Sequence, residues 1–136
     1  MKNEFWLIFR DSPHNVSRRC KAGFQHVFIL MKDSFNWILV NPTSTQLDIR
    51  ILGYETNEYV PSIFMKNPRR SIHIVRVVTY DKEASYWRVP FNVGCMGQVK
   101  YITNIKGIFF TPYQLYKKLV KGNNLTRFNI YECEKL

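Results

Sequence analysis

The sequence predicts a single α+β domain over residues 1–136, with an antiparallel sheet packed against two helices. Three observations predict it. Up to about residue 89 the apolar residues fall in short β-branched and aromatic runs separated by polar, Pro or Gly stretches. From Gly94 the apolar spacing becomes helical, and Thr111-Pro112-Tyr113-Gln114 is a capping box with proline at the first helical position. No repeat, low-complexity tract or linker divides the chain.

Glu4 to Arg10 reads as the first strand, and the polar stretch Asp11 to Ala22, with Ser12-Pro13 and Asn15, as a loop. Phe24 to Lys32 and Phe35 to Asn41 read as a hairpin about Asp33-Ser34. From Gln46 to Leu52, Leu47, Ile49 and Ile51 alternate with Asp48 and Arg50, which predicts a half-buried strand ended by Gly53. Pro61 and Pro68 predict irregular chain over Tyr54 to Arg70. Ser71 to Tyr80 reads as a strand, and Ser85 to Val89 as one more. Gly94 to Lys106 is the first expected helix, with Cys95, Val99, Ile102 and Ile105 near one face and Gly107 as its stop. The capped helix follows, with Leu115, Leu119 and Val120 inward and Gly122 at its end; Leu125 to Tyr131 would close the sheet.

Composition narrows the function classes. The hydrophobic share of 46% and aromatic share of 15% exclude a disordered chain. No apolar run approaches the roughly 18 residues of a membrane span. The run Phe5 to Phe9 is too short, and lacks a small-residue cleavage site, for a secretory signal. A soluble protein, cytoplasmic as synthesised, is expected. Cys20, Cys95 and Cys133 form an odd set without CxxC spacing, which argues against a disulfide framework or structural zinc; no metal and no cofactor is called for. The net charge of +10, from 20 Lys and Arg against 10 Asp and Glu, favours nucleic acid, anionic polymers or acidic surfaces as partners. The basic residues are scattered, so a merely solvated face fits the same composition. Tyr113 and Tyr116 beside Lys117 and Lys118 could touch nucleic acid, but at helical spacing packing or a solvated surface is the preferred reading.

One constellation could carry chemistry. A thiol hydrolase needs a thiolate, a histidine to exchange its proton, and a polar group that fixes the imidazole tautomer. Cys95 stands where a helix begins, and the amides and dipole there favour a thiolate. His26 opens the strand Gln25 to Leu30. With Asp33-Ser34 as a two-residue turn, Lys32 faces Phe35 and His26 faces Asn41; a four-residue turn instead opposes His26 with Thr43. His73, within an apolar strand, has no metal partner in spacing, and His14, Cys20 and Cys133 are read as incidental.

The stretch His26-Val27-Phe28-Ile29-Leu30, followed by Trp37-Ile38-Leu39-Val40-Asn41-Pro42, resembles the histidine and asparagine strands of papain-like enzymes. Here the cysteine helix, Asn92-Val93-Gly94-Cys95 onward, comes last, the circularly permuted order of NlpC/P60-like and lecithin:retinol acyltransferase-like branches. The likeness covers residues 23–42 and 91–106. It implies a permuted papain-like fold with Cys95 as nucleophile, His26 as base, Asn41 as orienting residue, and Asn92 with the Cys95 amide at the oxyanion. Val89 stands six residues before the cysteine, where papain has an oxyanion-hole glutamine.

The function this implies is a cysteine peptidase or amidase acting on a peptide, a peptidoglycan cross-link or an acyl bond. The alternative is a non-catalytic module of the same fold, binding nucleic acid or a virion component through its basic surface. The small chain, rich in Lys, Asn and Ile, suits a virus- or phage-encoded, virion-associated protein. A nucleic-acid binder of unrelated α+β fold ranks last, for want of a recognition signature.

Overall fold

Between Phe5 and Phe9 every residue is large and apolar, so a strand there buries both of its faces or neither. In the computed structural model it buries both. The structure describes residues 2–12, 20–43, 46–52, 60–65, 72–80, 94–103, 105, 111–121, 124–126 and 129–135. Its strands are β1 (Lys2–Arg10), β2 (His26–Lys32), β3 (Trp37–Pro42), β4 (Leu47–Ile51), β5 (His73–Tyr80), β6 (Asn124–Thr126) and β7 (Asn129–Lys135). Its helices are α1 (Val60–Met65), α2 (Gly94–Thr103) and α3 (Pro112–Val120).

The strands form one sheet in the order β4-β3-β2-β1-β5-β7-β6, and every pairing is antiparallel. β1 lies between β2 and β5, and packed side chains cover both of its faces. Phe5, Leu7 and Phe9 join Val27, Ile29, Val40, Val75 and Val77 on one face. Met96, Val99 and Ile105 from the α2 segment and Leu115, Tyr116 and Leu119 of α3 cover that face. Trp6 and Ile8 point the other way, among Phe28, Leu30, Trp37, Ile74 and Val60 of α1. The antiparallel sheet packed against helices is therefore as the sequence predicts. Among the described residues no helix is long and apolar enough to cross a membrane.

Several elements differ from expectation. Part of the stretch expected to be irregular is a helix: Pro61 sits in the first turn of α1, where its missing N–H costs nothing, and the rest of that stretch, Pro68 included, lies outside the described residues. The expected closing strand is a short hairpin, β6 and β7. Val120 was expected inward, but it is exposed at the end of α3, one position beyond the buried Leu119. β4 was expected to be half buried; instead Leu47, Ile49 and Ile51 are 44, 58 and 70% exposed. The strand from Ser85 to Val89 lies outside the described residues.

The capping box forms as read. The Gln114 N–H donates to the Thr111 hydroxyl at 3.2 Å, and the Thr111 N–H to Gln114 Oε1 at 3.3 Å. These bonds satisfy two donors at the helix start that would otherwise lack partners.

Candidate functional site

The hairpin turn decides where His26 lies. Asp33 is not part of a two-residue turn: its N–H donates to the Asn36 carbonyl at 3.0 Å, and its side chain accepts from the Phe35 and Asn36 amides. Asp33 to Asn36 thus form a four-residue loop. Lys32 pairs with Trp37, Leu30 with Leu39 and Ile29 with Val40, a register two residues away from the Lys32–Phe35 pairing. Continued by the same count, it sets Asn41 across from Phe28 and Thr43 across from His26. The directly opposed His26–Asn41 pair is therefore corrected. The reason is local, because the Asp33 carboxylate caps two amides and so favours the longer turn.

The two side chains meet nevertheless, on the diagonal. His26 Nε2–H donates to Asn41 Oδ1 at 2.6 Å. Diagonal neighbours on one face of an antiparallel pair lie within reach of long or aromatic side chains, and both residues stand on the face of Phe28 and Leu39. With Nε2 as donor, Nδ1 is left as the proton-accepting nitrogen. Desolvation lowers the His26 pKa below its ordinary 6.5; the Asn41 bond opposes this and the Arg10 charge adds to it. The Arg10 guanidinium stands 5.0 Å from the centre of the Phe28 ring, beside the histidine.

The cysteine helix is on the other face. α2 packs through Met96 and Val99 onto Val27, Ile29 and Val40, whereas His26 follows the alternation of Phe28 and Leu30. The sheet thus lies between the α2 packing surface and the His26–Asn41 pair. The Cys95 side chain and Asn92 lie outside the described residues. The Cys20 thiol is free and half buried.

A second cluster sits on the helix-covered face. Lys21 to Phe24 forms a tight turn, closed by the Phe24 N–H donating to the Lys21 carbonyl at 2.9 Å. Gly23 has φ 84°, the left-handed value that the third position of a type II turn requires. The Gly23 N–H is held by the Asp11 carboxylate, and the Ser12 N–H by Gln25 Oε1 at 3.1 Å. This turn delivers Phe24 into an aromatic group. Its ring stacks on His73 with centroids 4.5 Å apart, and lies 5.0 Å from Tyr113 and 4.7 Å from Tyr116. His73 is thus a packed aromatic partner at the head of β5.

The same turn brings Lys21 to the outer member of the group. Its ammonium lies 4.0 Å from the Tyr113 ring centre, and that of Lys117, one helical turn along α3, lies 4.9 Å away. Both are cation–π distances. The Lys21 hydrogen bond, followed by the charges of Lys21 and Lys117, lowers the Tyr113 phenol below its ordinary pKa of 10.0. Neither lysine forms an ion pair with a carboxylate among the described residues, whereas Arg50 pairs with Asp48 and Arg76 with Glu4. No group of three or more His, Cys, Asp or Glu side chains that could hold a metal occurs among those residues.

Sequence reasoning named Tyr113, Tyr116, Lys117 and Lys118 but missed Lys21, Phe24 and His73. The signal available was Ala22-Gly23, a turn between a lysine and an aromatic residue. Its destination was not readable, because 21, 73 and 113 meet only through the sheet.

The fold and its two clusters describe an α+β protein with an antiparallel sheet, a polar pair on one face and a basic aromatic group on the other. No family model, curated protein or solved structure matches the chain.

Proposed function

We propose that this chain is a non-catalytic basic binding module that holds nucleic acid by its phosphates at the surface of Lys21, Tyr113 and Lys117. One observation carries the reading: two ammonium groups converge on one tyrosine ring, with no carboxylate paired to either among the described residues. Gathering two like charges is unfavourable alone, and a phosphate placed between them relieves it. The overall charge of +10 supplies the long-range attraction.

The test is a fluorescence-anisotropy titration of a labelled oligonucleotide, single-stranded and duplex, at 50 and 200 mM salt. Two phosphate contacts predict a loss of affinity of about tenfold or more between those concentrations. Lys21→Ala with Lys117→Ala should weaken binding at both and flatten the salt slope by about two. An absence of binding at 50 mM salt, or a double variant that binds like the parent, overturns the reading.

The His26–Asn41 bond favours a second reading, the permuted papain-like cysteine hydrolase with Cys95 as nucleophile. The Asn41 carbonyl would orient the imidazole with Nδ1 as the base, and Cys95 would attack the amide or acyl carbonyl. It ranks second because α2 packs against the face opposite His26. Iodoacetamide at pH 6 discriminates the two: the hydrolase requires Cys95 to alkylate faster than Cys20 and Cys133, with the advantage lost in His26→Ala.

A further inference from the structure

The β4 edge is exposed in a way that matches a copy of itself. Five of the seven exposed large apolar side chains among the described residues gather near this corner of the sheet: Phe35, Leu47, Ile49, Ile51 and Leu52. β4 carries no lysine, proline or bulge, the usual devices that keep an edge strand from pairing. Its outward hydrogen-bonding groups can be assigned. The Leu52 N–H donates to the Trp37 carbonyl at 2.8 Å, and the Thr43 N–H to the Gln46 carbonyl at 2.8 Å. In an antiparallel ladder the bonded positions alternate, so Gln46, Asp48, Arg50 and Leu52 face β3. Leu47, Ile49 and Ile51 therefore turn their N–H and C=O groups to the open side.

We propose that two copies of this chain associate through β4, antiparallel about a two-fold axis at Ile49. In that register Ile49 faces its own copy, and Leu47 faces Ile51 of the second copy, so all three outward-facing positions exchange backbone bonds. The apolar side chains then oppose one another on one face of the joined sheet. On the other face Asp48 stands opposite Arg50 of the second copy, and Arg50 opposite Asp48. Within one chain those two residues already form an ion pair at 2.8 Å. The segment Leu47-Asp48-Ile49-Arg50-Ile51 is thus complementary to its own reverse in both hydrophobicity and charge. That symmetry selects a second copy, rather than an unrelated strand, as the occupant. With five residues a side, the interface is at the small end of specific contacts, and its dimer is a weak one.

The experiment is sedimentation equilibrium from about 10 to 500 µM, the range for weak association. The parent should pass from monomer towards dimer, and amide exchange at Leu47, Ile49 and Ile51 should slow as concentration rises. Asp48→Arg alone and Arg50→Asp alone each set like charges across the axis and should weaken association by about tenfold or more. Mixing the two single variants should restore a heterodimer, because each then meets its opposite charge. Loss of the ion pair within one chain cannot be repaired by mixing, so restoration identifies the contact as intermolecular. A parent that stays monomeric at 500 µM, single variants that associate like the parent, or a mixture that does not recover would each overturn the proposal.

Discussion

β1 and β4 both carry large apolar side chains and end in opposite environments. β1 runs Phe5-Trp6-Leu7-Ile8-Phe9 with every side chain buried. β4 alternates Leu47, Ile49 and Ile51 with charged residues and leaves its apolar row in solvent. The difference is position in the sheet: β1 is flanked by β2 and β5 and covered by helices, whereas β4 is an edge with only β3 beside it. A period of two therefore states which side chains share a face. It does not state whether anything covers that face.

Core truncation is the strongest way to test this contrast. Leu7 and Ile49 are both large aliphatic residues, with 0 and 58% exposure. Leu7→Ala should cost about 2–5 kcal/mol in urea denaturation, from lost transfer energy and the cavity left behind. Ile49→Ala should change monomer stability by no more than about 0.5 kcal/mol. Equal losses would mean that the β4 row is covered within one chain, and would remove the contrast.

Thr111→Ala gives an intermediate effect and sharpens the comparison from the helix side. The capping box starts the helix whose Leu115 and Leu119 cover the β1 face. Removing the hydroxyl should cost about 1 kcal/mol, read from the same denaturation midpoints, with Thr111→Ser close to the parent.

The smallest effect concerns the face that carries the polar pair. Desolvation holds the His26 pKa below its ordinary 6.5, with Arg10 acting in the same direction. The unfolded chain thus binds the proton more readily than the folded one. This contribution is fully present above pH 6.5 and declines as pH falls through that value towards the folded pKa. The urea midpoint should drop between pH 7.5 and 5, and His26→Gln should reduce the drop. An equal drop in the variant would assign the pH dependence to other groups.

The two candidate sites were legible to different degrees. The His26–Asn41 pair was named from the sequence through a register that the structure corrects. It survives because a hairpin slip of two residues keeps both side chains on one face; a slip of one would have separated them. Its relation to α2 was not legible. His26 alternates with Val27 along β2, and only packing decides which of those two parities the helix covers. The Lys21–Tyr113–Lys117 group was half legible: the lysine and tyrosine on α3 are four residues apart, but the third member arrives from a loop far earlier in the chain.

The sequence by itself determined the elements that depend on neighbours in the chain. Short apolar runs set the strands, the Thr111–Gln114 box set the start of α3, and the acid and base counts set the charge. Tertiary structure alone decided the side of the sheet that α2 occupies and the exposure of β4. The physical reason is range: backbone geometry and capping act over a few residues, whereas burial depends on which distant segments arrive to exclude water.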